Sequence, residues 1–177
     1  DKTTVRGDAK RGMEGFIGSR GDVRKVVTKN HVSEVADKIS GSDLIVDAMF
    51  GTGLRSGISG LHLALVRAIN TSDVPVVSVD IPSGIDTDTG RPIGEAVRAT
   101  VTVTFGYPKI GQVVCPGADY SGRLICVDIG ITADAVALVN PKTEVLLGQE
   151  MREYVPARGS DSHKGEYGHL VVLAGSR

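Results

Sequence analysis

Two carboxylates sit beside glycine-bearing turn sequence: Asp47 lies within the apolar run of "LIVDAMFGTGLRSG" that leads into "GTG", and Asp80 ends the apolar run of "VVSVDIPSGIDTDTG". Consecutive parallel strands would bring both to the carboxyl edge of one sheet, the crevice where open α/β sheets bind ligands. A carboxylate there can ligate a cation. With its pKa raised by burial and a like-charged neighbour, it can also serve as a general acid or base. For Asp80 alone a turn or helix cap competes, because Pro82, Ser83 and Gly84 follow. Asp86 and Asp88 lack the third acidic position and distal Glu of a calcium loop, so Asx turns ahead of Gly90 account for them more cheaply.

The glycines after the first run form a second candidate. Between a strand end and a helix start they let backbone N–H groups approach a phosphate at the positive end of the helix. Gly51, Gly53 and Gly57 are spaced one residue too long for a dinucleotide fingerprint, and no ribose-binding acid follows about 20 positions on. A phosphate loop and a plain flexible turn therefore both stay open. Lys109, in "TFGYPKIGQ", would neutralise an anion or be solvated, and solvation is the usual fate of lysine. His163 and Lys164 have no Ser or Cys nucleophile motif beside them, and a lone His is more often structural.

These residues need a scaffold, and the apolar runs supply one. Runs at 24–28, 44–50, 75–79, 99–105, 124–130 and 169–174, rich in Val, Ile and Thr, predict strands buried on both faces. Val32, Val35 and Ile39 predict a helix over 31–39. Leu61, Ala64, Leu65 and Ala68 predict another over 59–69 with Ser59 as its N-cap. The opening residues show no periodic element. Strand alternating with helix implies a parallel sheet covered on both sides.

The totals exclude several classes. Lys plus Arg is 20 and Asp plus Glu 21 in 177 residues, with no dense basic cluster, which argues against a nucleic-acid partner. No apolar run reaches the ~18 residues of a membrane span and no signal-peptide core opens the chain, so a soluble cytoplasmic protein is expected. Cys115 and Cys126 lie in apolar strand-like runs without metal-ligand spacing and are expected as buried thiols. The absence of an initiator Met, and an end that falls where a helix should follow a strand, suggest a piece of a longer polypeptide.

Four blocks in order, "DLIVDAMFGTGLRSG", "VPVVSVDIPSGIDTDTG", "ATVTVTFGYPKIG" and "GRLICVDIGI", strongly resemble the NAD(P)H-hydrate epimerase family, also called the YjeF N-terminal domain, over residues 20–132. The tail "SHKGEYGHLVVLAGS" resembles the start of the ADP- or ATP-dependent NAD(P)H-hydrate dehydratase. The resemblance implies an incomplete three-layer αβα Rossmann-like, mostly parallel sheet, followed by the first strand of a ribokinase-like domain. The expected organisation is residues 1–147 as the C-terminal part of the epimerase domain, 148–165 as a linker and 166–177 as the start of the dehydratase domain.

The implied function is nicotinamide nucleotide repair. The epimerase interconverts the R and S forms of hydrated NADH and NADPH (NADHX and NADPHX), and a fused dehydratase restores the S form to the cofactor with ADP or ATP, magnesium being an open companion ion. By matching positions, Asp47 and Ser83 would hold a potassium ion. Gly51, Thr52, Gly53, Leu54, Arg55, Ser56 and Gly57 would contact the substrate, and so would Asp80. Asp80 is also the candidate acid/base, because inverting the hydrated carbon requires a bond to break and a charge to be managed. The family's Gly-Asn-Asn-Gly-Gly-Asp-Gly loop has no match here, so half of the epimerase site and most of the dehydratase are expected outside these 177 residues, which alone would carry neither activity. Homo-oligomerisation stays open. A noncatalytic Rossmann-like scaffold is the alternative, and an ordinary NAD(P) oxidoreductase is disfavoured by the misspaced glycines.

Overall fold

A computed structural model of the chain describes residues 5–146, 148–154, 157, 159–168 and 171–172. Two compact units divide it, residues 1–135 and 136–177. The first contains helices α1 (Gly7–Gly18), α2 (Lys29–Ser40), α3 (Gly60–Thr71), α4 (Ile110–Val113) and α5 (Gly117–Ser121), and strands β1 (Ile45–Asp47), β2 (Val76–Val79), β3 (Val101–Phe105) and β4 (Arg123–Val127). Helix α6 (Ala133–Val139) begins at its end. The four strands form one parallel sheet in the order β1-β2-β3-β4, with Asp47 opposite Ser78, Val79 opposite Val103 and Phe105 opposite Val127. A parallel sheet built from consecutive strands is what the alternating pattern predicted.

The sheet is buried on one face. Val76, Ser78, Thr102 and Thr104 point to it and are buried, and α3 packs there through Val66 and Ile69 with Ile58 and Val97. Helix α2 lies against α3 in turn, with Thr28 capping it by accepting from the His31 amide and Ile39 reaching the same core. This double packing explains why α3 buries Val66 and Ile69 most deeply, whereas the expected stripe of Leu61, Ala64, Leu65 and Ala68 is only half-buried. On the opposite face Val46, Val77, Val101, Val103, Phe105, Ile125 and Val127 are at most half-buried, and Val46 is 61% exposed. The strands are thus not buried on both faces within the described residues. Their apolar runs give no sign of this, because the runs specify β structure without saying what covers it.

Other expectations need correction. Residues 24–28 are not part of the sheet, and residues 7–18, expected to hold no periodic element, form α1, with Ala9, Met13, Phe16 and Ile17 at helical spacing. Helix α1 has no buried residue, and local ion pairs, Lys10 with Glu14 at 3.7 Å and Arg11 with Asp8, lie along it. Both cysteines are exposed, Cys115 between α4 and α5 and Cys126 on edge strand β4.

The second unit contains α7 (Gly148–Met151) and short 3-10 turns at Arg152–Tyr154 and Lys164–Tyr167. Two of these, α7 and the first 3-10 turn, lie within the segment expected as a linker. The strand expected over 169–174 lies outside the described residues except for Val171 and Val172, which are exposed and without regular structure. No described helix is long and apolar enough to cross a membrane.

Candidate functional site

The C-terminal ends of β1 and β2 meet as the sequence implied, and one segment, residues 78–83, then serves two neighbours. Towards β1, Asp47 is 1% exposed and accepts hydrogen bonds from Ser78 Oγ at 2.9 Å, Ser83 N at 2.8 Å and Ser83 Oγ at 2.6 Å, with Met49 N at 3.4 Å. Ser83 is fully buried, and its hydroxyl accepts from Phe50 N at 2.9 Å. A buried carboxylate needs such partners, and here they stitch the turn after β2 onto the turn after β1. Ser78, which no sequence pattern singled out, is the member of this cluster that only strand register reveals: it pairs with Asp47 across β1 and β2.

Asp47 Oδ1 and the Phe50 carbonyl oxygen lie 2.6 and 3.3 Å from Ser83 Oγ, so three oxygens gather there. An all-oxygen set with one negative charge suits a hard cation in kind. The same oxygens are meanwhile satisfied by one another and by main-chain donors. Among the described residues no three His, Cys, Asp or Glu side chains gather as a metal site.

Towards β3, Asp80 has a different setting. Its φ of +67° is a left-handed conformation uncommon for a residue with a Cβ. Its amide donates to Val103 O at 2.7 Å, and its carboxylate accepts from Lys109 Nζ, Thr104 Oγ1 at 3.2 Å and Phe105 N at 3.3 Å. Lys109 Nζ also donates to Thr104 Oγ1 at 2.8 Å and Phe105 O at 3.3 Å. The side chains of Lys109 and Asp80 are 20% and 24% exposed, so the solvated reading of Lys109 does not hold. Burial is the largest single influence on Asp80 and pushes its pKa up, but the Lys109, Phe105 and Thr104 contacts together outweigh it and hold the carboxyl below its ordinary range. The raised pKa that a like-charged neighbour would produce does not arise, because the neighbour is a cation. What the pair offers is an ionised acceptor in direct contact with an ammonium donor.

Residues 51–57 follow β1 as an exposed turn, with Leu54 alone half-buried. Leu54 N returns to Gly51 O at 3.3 Å, while among the described residues the amides of Thr52, Gly53, Arg55 and Ser56 draw no hydrogen bond from the fold. Free amides just before the N-terminus of α3 are what an anion would need. Ser59 takes the extended N-cap conformation without a side-chain cap bond.

Arg55 lies close enough to Asp86 to help hold that carboxyl low, after the larger effects of the Thr89 hydroxyl and amide. Asp86 Oδ1 accepts from Asp88 N, Thr89 N and Thr89 Oγ1 at 3.1, 2.8 and 2.8 Å, which makes it the turn former expected and separates it from Asp47 and Asp80 in role. His163, in the second unit, is exposed and pairs with Glu166 at 3.1 Å.

The model of the YjeF-related protein N-terminus matches residues 2–111. The chain is 38% identical over 172 residues to the bifunctional NAD(P)H-hydrate repair enzyme Nnr of Moorella thermoacetica, covering 97% of this chain and 32% of that protein. It is 41% identical over 157 residues to the bifunctional NAD(P)H-hydrate repair enzyme Nnr of Thermofilum pendens, covering 86% and 28%, and 45% identical over 112 residues to the NAD(P)H-hydrate epimerase of Limosilactobacillus reuteri, covering 62% and 53%. The chain thus spans about a third of the bifunctional relatives and about half of the epimerase. With more than half of its residues matched, the chain belongs to the family of the YjeF-related protein N-terminus.

Proposed function

We propose that this chain is part of a nicotinamide nucleotide repair enzyme that epimerises the R and S forms of NADHX and NADPHX, an isomerase activity, and that the whole protein also dehydrates the S form with ADP or ATP. The observation that carries the epimerase reading is the Asp80–Lys109 pair at the carboxyl edge of the sheet. Inverting a hydroxyl-bearing carbon next to a ring nitrogen needs a group that protonates the leaving hydroxyl and a group that takes the proton of the water replacing it.

Lys109 Nζ protonates the departing hydroxyl as the C–O bond breaks, and the ring nitrogen's lone pair forms a C=N bond. Water adds to the opposite face and gives its proton to the Asp80 carboxylate. Return of that proton from Asp80 to Lys109 through their direct contact resets the pair. The 51–57 turn receives the dinucleotide phosphates on its free amides and Arg55.

Asp47 and Ser83 are the residues that would hold a potassium ion, whose charge would favour an anionic substrate at the sheet edge. The fused-dehydratase reading is supported by the extent of the matches, which run over 172 residues with a bifunctional relative but 112 with the epimerase.

In the intact protein, Asp80→Ala is expected to slow interconversion of the two hydrate epimers, followed chromatographically, about a hundredfold or more, the usual worth of a general base. Epimerisation at the wild-type rate would overturn the assignment. For the cation, potassium chloride should raise the melting temperature of the wild type more than equimolar sodium chloride does, and this difference should vanish in Asp47→Asn. An equal response of both proteins to both salts would remove Asp47 as a ligand.

A further inference from the structure

We infer that Gln112 is a positioning residue: its buried side-chain amide ties the main chain of Asp80 to the main chain of Lys109 and so fixes the geometry of the pair. Gln112 is 2% exposed, in α4. Its Nε2 donates to the Asp80 carbonyl oxygen at 2.5 Å, and its Oε1 accepts from the Lys109 amide at 2.8 Å. The two groups it joins are one acceptor and one donor, 29 positions apart in the chain, and a carboxamide is the side chain that presents one of each on a planar head. The reverse orientation would set donor against donor and acceptor against acceptor, so the partners fix which way the amide faces.

Both ends of this clamp need holding. Asp80 keeps its left-handed backbone only while the surroundings over-determine it, and its carbonyl is the group whose direction follows from that backbone. On the other side, Lys109 is the N-cap of a four-residue helix, and Gln112 is its N3 residue reaching back to the cap amide. The clamp is itself anchored. Gln112 N donates to Lys109 O at 2.9 Å, and the neighbouring Gly111 N donates to Thr87 O at 2.6 Å, so α4 is pinned to the turn after β2. Gln112 touches neither carboxylate nor ammonium; its effect on them passes through the backbone.

The catalytic consequence rests on the epimerase reading above, so the test has one arm that needs no substrate. In the intact protein labelled with carboxyl-¹³C aspartate, the Asp80 resonance is titrated in the wild type, Gln112→Met and Gln112→Asn, both uncharged so that neither adds a charge beside Asp80. Met keeps the length and loses both bonds. Asn keeps the carboxamide but is one methylene too short to hold both main chains at once.

Lys109 is the charged group acting on Asp80. Loosening the pair is therefore expected to move the Asp80 midpoint up towards its ordinary value in both variants, while the remaining aspartates stay put. In the second arm, both variants lose about tenfold or more in kcat for epimer interconversion with KM within about twofold. An unchanged Asp80 midpoint in a folded variant overturns the inference, even if stability falls, because a packing role alone would not move it. If Met fails to fold, Asn carries the same readout. A shifted midpoint in a protein whose wild type epimerises nothing would refute the functional reading and leave the clamp standing.

Discussion

Removing the Asp47 side chain is the sharpest probe of what joins the first two strand ends. In Asp47→Ala three buried donors lose their acceptor: Ser78 Oγ, Ser83 N and Ser83 Oγ. The Ser83 hydroxyl can turn to Phe50 O at 3.3 Å, which leaves the Ser78 hydroxyl and the Ser83 amide unsatisfied. At about 1–3 kcal/mol for each buried orphan, the expected loss is about 4 kcal/mol, a large part of the ~5–15 kcal/mol that holds a domain folded.

Asp47→Asn should behave differently. With its oxygen turned to Ser78 Oγ and Ser83 N, its NH2 donates to Ser83 Oγ, which in turn donates to Phe50 O. Only the long bond from Met49 N at 3.4 Å is opposed, so the loss should be about 1 kcal/mol, mostly from the weaker acceptor. Urea denaturation followed by circular dichroism in low-potassium buffer measures both. Two results would refute the reasoning. A loss below about 1 kcal/mol in Asp47→Ala would mean the orphaned donors find other partners. Equal losses in the two variants would mean that the charge, and not the set of acceptors, holds the turns together.

Asp80 supplies an acid-dependence. Its folded pKa lies below the ordinary 3.8, so the unfolded chain binds the proton first; the stabilisation is complete above that value and is lost as pH falls through the lower folded one. Wild-type stability should therefore drop more steeply below about pH 4 than that of Asp80→Asn, and parallel denaturation curves across that range would contradict the pairing with Lys109. Gly117→Ala should destabilise by about 3 kcal/mol or more, since the added Cβ would fall 1.8 Å from Gly111 O and 2.8 Å from Gly90 Cα. Because that contact locks α4 and the Asp86 turn together, the same substitution should also raise the proteolytic sensitivity of residues 86–91. A melting temperature within a degree or two of the wild type would show that the backbone there yields.

How much of this could be read beforehand depends on which interactions are local. Four of the predicted strands, α2 and α3 are legible because a period of about 2 or 3.6 is written into consecutive residues. The carboxyl-edge position of Asp47 and Asp80 follows from strand order alone. What each carboxylate does there does not follow, because it is decided by partners distant in sequence: Ser78 and Ser83 for Asp47, at separations of 31 and 36, and Lys109 for Asp80, at 29.

Lys109 and Gln112 illustrate the limit. Nothing around "YPKIGQ" distinguishes a solvated lysine from a paired one, or a surface glutamine from a buried clamp. The one local hint is Gln112 at the N3 position of a short helix, where a side chain commonly returns to the cap amide. The second bond of Gln112, to Asp80 O, exists only because the turn after β2 brings a left-handed Asp80 beneath α4. Asp tolerates that conformation better than most residues with a Cβ, but glycine would adopt it with no side-chain penalty. That Asp stands there, with its carbonyl held by one buried amide and its carboxylate by Lys109, argues that the position is set by what the carboxylate must reach and not by the needs of the turn.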